Sequence, residues 1–258
     1  MLQLAAAKGI DTLDTAIAYG ESEACLGDVG TQGFKLVTKL PAVPDGCRDI
    51  SIWVRQQVHA SLSRLQVSRL YGLLLHRPEQ LLGKLGKALY RALGDLKSQG
   101  LVGKIGVSIY APDELGALCD GYTFDLVQTP FNVLDRRLAD TGWLARLYRQ
   151  GVEIHVRSIF LQGLLLMPAD QRPPYFARWQ QLLDVWDRWL VDHQLTSVQA
   201  CLRHVLAFPE ISKVVVGADS KAQLQEIILC AKGALPLLPS SLHASDLDLL
   251  NPARWERS

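Results

Sequence analysis

Residues 35–76 read KLVTKLPAVPDGCRDISIWVRQQVHASLSRLQVSRLYGLLLH. The stretch opens on a short apolar run, KLVTK at 35–39, and closes on another, LYGLLLH at 70–76. Between them Ile50, Val54, Val58, Leu62 and Leu65 recur at helical spacing. Strand, helix, strand is the signature of a βαβ unit.

The same alternation continues outward. Further apolar runs with β-branched residues stand at 12–15, 103–108, 125–129, 152–157 and 213–217, giving seven strand candidates. Several are apolar on both faces, which reads as buried parallel strands and not as half-exposed hairpins. Leu85, Leu89, Leu93 and Leu96 mark another helix, with Gly100 as its stop, and Leu224, Ile227, Ile228 and Ala231 mark a late one. A Gly-X-Gly-X-X-Gly fingerprint and a P-loop are both absent, so a Rossmann sheet is the weaker choice. A (β/α)8 barrel is the stronger one, and the 258 residues match its usual size of roughly 250. The expected fold class is α/β, with a catalytic barrel over residues 1–234. A tail at 235–258 has prolines and few periodic residues, and reads as a surface extension. The segment MPADQRPPY at 167–175 is the one proline-rich loop inside the pattern.

Composition narrows the function. Lys and Arg number 27 against 26 Asp and Glu, so no excess charge points to nucleic acid or an anionic membrane. No apolar run reaches the roughly 18 residues of a spanning helix. MLQLAAAKGI lacks the apolar core and cleavage site of a signal peptide. Five cysteines, Cys25, Cys47, Cys119, Cys201 and Cys230, form no CxxC pair. Reduced thiols and a cytoplasmic location are expected. No His-X-His or carboxylate cluster stands at the strand ends, so no metal site is expected and a metal-dependent hydrolase is disfavoured.

Chemistry in such a barrel sits at the C-terminal ends of the strands. Those ends carry Asp14, Lys39, His76, Ser108, Gln128 and Arg157 with Ser158. Singly, each has an ordinary reading: Lys39 a surface lysine after a strand, His76 a core histidine, Asp14 a helix cap, Tyr19 a loop aromatic. Together they make a proton donor. A tyrosine with a free pKa of about 10 is a poor acid near neutrality. An adjacent ammonium favours the phenolate, a carboxylate holds the ammonium, and a histidine opposite can hydrogen-bond a carbonyl oxygen. That set suits reduction of a carbonyl to an alcohol, with the hydride coming from a cofactor.

The stretch GIDTLDTAIAYGESEACLG at 9–27 resembles the signature of the aldo-keto reductase superfamily, Gly-X-X-X-X-Asp-Thr-Ala followed by Tyr-Gly and Ser-Glu-X-X-Leu-Gly. Matches follow in order: LKSQGLVGKIGVS, DLVQTPFN, HVRSIFLQGLL and VVVGADSKAQLQEI. The likeness covers about residues 9–231. It implies a (β/α)8 barrel, a cofactor of NADPH with NADH as second candidate, and a catalytic tetrad on Asp14, Tyr19, Lys39 and His76. It also implies nicotinamide carboxamide contacts at Ser108 and Gln128. Ser158, Phe160, Leu161 and Gly163 match the segment along the cofactor pyrophosphate, and Gly217, Ser220, Gln223 and Glu226 the turn and helix at the adenosine half. A helix N-terminus suits phosphate, although turn chemistry and an N-cap are the plain readings of these polar residues.

The resemblance has departures. The family's first strand and its glycine-rich loop have no counterpart before Met1, so the sequence reads as truncated or started downstream. Free sheet edges are then expected at 12–15 and 213–217, uncovering Leu13 and Val215. Ile109 stands where many members have asparagine, Ile227 likewise, and Arg157 replaces a tyrosine that stacks on the nicotinamide. Arg157 could itself stack on the ring or hold a substrate anion. QTPFN with DRR, then VRSIFLQG, resembles a bacterial branch found near sugar and surface-polysaccharide enzymes, which points to a sugar-like carbonyl. The expected activity is NAD(P)H-dependent reduction of a small carbonyl compound. A non-catalytic nicotinamide-binding accessory or sensor subunit is the alternative.

Overall fold

A computed structural model describes residues 1–255; the last three residues of the expected tail lie outside the described residues. Its strands are β1 (Thr12–Asp14), β2 (Lys35–Leu40), β3 (Leu70–Leu75), β4 (Val102–Ser108), β5 (Leu126–Pro130), β6 (Glu153–Arg157) and β7 (Lys213–Val214). Sheet order is chain order, and the pairs whose register is resolved are parallel. With helices between the strands, this is the (β/α)8-barrel class with seven of its strands among the described residues. The chain divides into two compact units, one of residues 1–128 and 149–153, the other of the remainder.

The first unit carries α1 (Leu2–Ala7), α2 (Ser22–Val29), α3 (Ile50–Leu65), α4 (Gly86–Ser98) and α5 (Glu114–Gly121). In β2 every residue after Lys35 is buried, as it is in β3 apart from Tyr71, because a parallel sheet flanked by helices is covered on both faces. α3 buries Ile50, Val54, Val58, Leu62 and Leu65, one helical stripe. Asp49 caps it by accepting from the Ile52 N–H at 2.9 Å. Gly100, at φ +76°, follows α4 in a left-handed turn that a side chain would resist. Gly106 lets β4 approach β5: a Cβ there would lie 1.8 Å from the Leu126 carbonyl oxygen.

A buried carboxylate ties three elements of this unit. Glu23 on α2 accepts from Thr38 of β2 (2.7 Å), from Ser61 of α3 (2.6 Å) and from Arg64 Nε and Nη2 of α3 (2.9 and 2.6 Å). Glu23→Gln leaves the Arg64 charge without its partner. Removing one member of a fully buried pair costs about 3–5 kcal/mol. The Arg64 side chain is about a third exposed, and solvent screening brings the expected loss to about 2 kcal/mol. Thermal denaturation should show a drop of roughly 4–8 °C, and an unchanged midpoint would show that the pair contributes nothing.

The second unit carries α6 (Arg137–Asp140), α7 (Trp143–Arg149, its last residue in the first unit), α8 (Gln180–Asp192), α9 (Ser197–Leu206), α10 (Lys221–Cys230) and α11 (Leu247–Leu250). Thr196 and Gln199 form a capping box at α9. The core gathers Leu161, Leu164 and Leu165 with Leu183 and Trp186 of α8. The stretch after 234 joins it through buried Leu242, Leu249 and Leu250. Trp189 donates to the Leu237 carbonyl at 3.2 Å, and Trp179 to Asp246 at 3.1 Å. The proline-rich loop at 167–175 is anchored by Arg172, which donates twice to Asp187 (2.8 and 2.5 Å). β1 pairs with β2 alone and β7 with β6 alone among the described residues. Leu13 and Val215, expected to be uncovered there, are half-buried. No helix among the described residues is long and apolar enough to cross a membrane.

His204 on α9 gives this unit a pH response. It is buried, stacked on Phe131 with ring centroids 5.6 Å apart, and Phe208 meets it edge-on at 5.4 Å. Its Nε2 has no hydrogen-bond partner. Burial, helped by the Arg136 charge and opposed by a hydrogen bond to the Asn132 backbone, lowers its pKa from 6.5 to about 4. Below 6.5 the unfolded histidine takes up a proton that the folded one refuses, so stability falls as pH drops towards 4. At roughly 1.4 kcal/mol per pH unit the loss approaches about 3 kcal/mol. Urea midpoints measured from about pH 7 to about pH 4.5 should fall less steeply in His204→Leu than in the wild type. Parallel curves would contradict this.

Candidate active site

The strand ends of the first unit converge on one ammonium. Lys39 on β2 is 1% exposed, and a lysine is buried to that degree only when paired. Its Nζ donates to Asp14 Oδ2 at 2.5 Å and to the Thr15 carbonyl at 2.9 Å. The surface-lysine reading of Lys39 is therefore excluded. Asp14 stands at the end of β1, and its other oxygen accepts from Gln128 Nε2 at 2.7 Å. Ser108, at the end of β4, donates to Gln128 Oε1 at 3.2 Å. Ser108, Gln128, Asp14 and Lys39 thus form one chain of hydrogen bonds across the C-terminal ends of four strands.

Tyr19 lies over this chain. The ammonium of Lys39 is 5.2 Å from its ring centroid, a cation–π distance. Its loop is fixed at both ends. Ile17 N–H donates to the Lys39 carbonyl (3.1 Å) and Tyr19 N–H to the Ala16 carbonyl (3.0 Å). The Thr15 and Ser22 hydroxyls meet at 2.9 Å. Gly20 takes φ +53°, the turn that starts α2. His76 follows β3, its N–H donating to the Leu40 carbonyl at 3.0 Å. Its ring meets that of Tyr19 edge-on, centroids 5.8 Å apart at 78°. Tyr19 is 48% exposed, so the residue is open to solvent.

All four residues of the expected tetrad, with Ser108 and Gln128, therefore meet in this one unit. Two contributions were not anticipated from the sequence. Gln128, expected only as a cofactor contact, also holds Asp14. Glu23, inside the SEACLG segment, bonds Thr38, the residue before Lys39. The acid in that segment was the available signal. Ile109 is buried, with its N–H donating to the Gln128 carbonyl at 2.9 Å, so it serves packing at that position.

The remaining candidates belong to the second unit. Arg157 ends β6, half-buried, and its Nη1 donates to Ser158 Oγ at 3.3 Å. Ser158 adopts φ +58°, Leu161 φ +47°, Gln162 φ +52° and Gly163 φ +88°. Three non-glycine residues in the left-handed region within five positions are a costly backbone. Such strain clusters where a ligand or mechanism needs a shape. Asn132 Nδ2 holds the turn by donating to the Ser158 carbonyl at 3.1 Å. Phe160 packs against the core of this unit. Ser220 caps α10 by accepting from the Gln223 N–H at 3.1 Å, and Gln223 Oε1 accepts from the Asp219 N–H at 2.6 Å. Gly217 precedes this cap, Glu226 is exposed on α10, and Ile227 faces the core. The N-cap reading of Ser220 is correct.

Comparison with known proteins agrees with the fold and gives the family. The model described as the aldo/keto reductase family matches residues 1–237. No curated protein matches the chain. An aldo-keto reductase, AKR11C1, from Bacillus halodurans in its holo form is similar at 21% identity. It has a TM-score of 0.75 and overlaps over 92% of this chain and 82% of that one. A putative aldo-keto reductase from Pseudomonas aeruginosa has 24% identity and a TM-score of 0.65 over 89% and 80%. The glycerol dehydrogenase AKR11B4 from Gluconobacter oxydans has 19% identity and a TM-score of 0.68 over 91% and 80%. At these identities the solved structures establish the fold.

Proposed function

The chain belongs to the aldo/keto reductase family, and from that premise we propose that it reduces an aldehyde or ketone to an alcohol, with Tyr19 as proton donor and NADPH as hydride source. The observation that carries the reading is the setting of Lys39. A buried ammonium is held by Asp14 on one side and lies against the Tyr19 ring on the other.

The residues present fit a nicotinamide cofactor. Ser108 and Gln128 are buried polar side chains at adjacent strand ends. Each keeps lone pairs beyond the bond between them, so the pair can meet the amide of a carboxamide. The strained turn from Ser158 to Gly163 supports the pyrophosphate reading, and Gly217, Ser220, Gln223 and Glu226 the adenosine one. Lys221, exposed in the first turn of α10, offers a cation for the extra phosphate of NADPH. When bound, the reduced nicotinamide supplies the hydride that no side chain can.

The chain's own residues handle the proton. His76 donates a hydrogen bond to the carbonyl oxygen and orients it towards Tyr19. As the carbonyl carbon gains a hydride, the Tyr19 hydroxyl passes its proton to the oxygen. The phenolate left behind is stabilised by the Lys39 ammonium, and Asp14 keeps that ammonium charged and placed. Solvent then returns a proton to Tyr19. Arg157, where a stacking tyrosine is common, serves either the nicotinamide ring or an anionic group of the substrate. The resemblance to a polysaccharide-associated branch favours a sugar-like carbonyl. The five free thiols and the nicotinamide chemistry fit a reducing cytoplasm.

The test is turnover with NADPH and with NADH over a panel of aldehydes, ketones and hydroxy-aldehydes, with glycerol included for the reverse direction. NADPH-dependent loss of carbonyl is the expected result. Tight NADPH binding with no oxidation across the panel would overturn it and leave the accessory or sensor reading.

A further inference from the structure

The hydrogen-bonded chain beneath Tyr19 passes through an amide whose two sides have different partners. Gln128 on β5 and Ser108 on β4 are both buried. The Gln128 backbone is pinned to β4, its carbonyl accepting from the Ile109 N–H at 2.9 Å. The side chain then has one way to lie. A carboxylate only accepts, so the NH2 side faces Asp14 at 2.7 Å, and Oε1 faces Ser108 at 3.2 Å. The Oε1 side is the one that serves a carboxamide in the reading above. The bond to Asp14 has no part in that.

Asp14 divides its two oxygens. Oδ2 accepts from the Lys39 ammonium and Oδ1 from Gln128. The Gln128 donor does two things to this carboxylate. It fixes the carboxylate plane, so that Oδ2 stays turned to the ammonium. It also stabilises part of the negative charge, which leaves more of the Lys39 charge to act elsewhere. Lys39 from β2 and His76 from the end of β3 face Tyr19, and Asp14 of β1 lies behind the ammonium.

We infer that Gln128 is a positioning residue for the proton donor: its amide N–H, held on Asp14, sets how much of the Lys39 charge reaches Tyr19. The inference rests on the reductase reading for the part Tyr19 plays. The coupling itself is measurable without turnover.

The test is an NMR titration of the full chain without cofactor, its tyrosines labelled at the ring carbon that bears oxygen. The chain has seven tyrosines, and Tyr19→Phe identifies the signal of Tyr19. Gln128→Met approximates the side-chain length and removes the donor, so Asp14 acts on its surroundings with its full charge. The Tyr19 phenolate is then less favoured, and its pKa should rise by about half a unit or more. Ser108→Ala removes the bond on the other side of the amide and should move that pKa far less. A second measurement needs no substitution, and so stands even where Gln128→Met does not fold. In the wild type the Gln128 side-chain N–H signal should shift with the Tyr19 midpoint. Ionised Tyr19 draws on Lys39, and Asp14 then takes a stronger bond from Gln128. NADPH binding without turnover would remove the reductase reading alone. A Tyr19 pKa unchanged or lowered in folded Gln128→Met, an equal rise in Ser108→Ala, or a Gln128 N–H signal indifferent to Tyr19 ionisation would overturn the inference.

Discussion

Tyr19→Phe should lower carbonyl reduction by roughly 10²–10⁴-fold, the usual worth of a positioned general acid, while cofactor affinity survives. The substitution keeps the ring, so the contacts with Lys39 and with the edge of His76 remain. Only the hydroxyl is removed. The loss should appear in kcat and in kcat/KM alike, because the proton is shared only in the transition state. The assay needs an unreactive ketone beside a reactive aldehyde, since an activated carbonyl can borrow a proton from water. Undiminished reduction of both would remove Tyr19 from the mechanism.

Lys39→Met is expected to have the second large effect. Methionine approximates the stem and deletes the charge. Asp14 then loses its ammonium while still bonded to Gln128, and a carboxylate is left near the Tyr19 ring. Without the neighbouring cation the Tyr19 phenolate is less favoured, so its pKa should rise. For reduction, which needs the protonated tyrosine, the alkaline limb of the pH–rate profile should move to higher pH. For alcohol oxidation, which needs the phenolate, the rising limb should move the same way. A rate loss of roughly 10²-fold or more should accompany both shifts. A loss of rate with no shift of either limb would mean that Lys39 acts through packing alone. The variant also removes the partner of a buried carboxylate, so its thermal midpoint must be measured beside its activity.

The strands were legible because burial on both faces leaves a compositional mark. The runs at 35–39, 70–76 and 103–108 fall within one residue of β2, β3 and β4. The last run, 213–217, shortens to Lys213–Val214, although Val215 N–H still bonds the Val156 carbonyl. Strand length depends on the neighbour, which a local pattern cannot show. The meeting of Asp14, Tyr19, Lys39 and His76 was legible from the motif and from the strand ends. What joins them was not. Gln128 reaches Asp14 across 114 positions, and Glu23 reaches Ser61 and Arg64 across about 40; neither has a spacing to detect. The stretch after 234 looked like surface because its apolar residues have no period. Leu242 is buried in a loop, and Leu249 and Leu250 on the single turn of α11, too short a helix to leave a periodic mark. The left-handed turn from Ser158 to Gly163 was equally hidden, since only one of its residues is glycine.

The most direct test follows the hydride. The purified chain is given NADPH deuterated at its hydride-donating carbon, together with a small hydroxy-aldehyde, and the product is analysed by mass and by NMR. The account predicts an alcohol with one deuterium on the former carbonyl carbon, and a proton from solvent on its oxygen, formed in step with cofactor oxidation. Product without deuterium, or bound cofactor that is never oxidised while the chain remains folded, would contradict it.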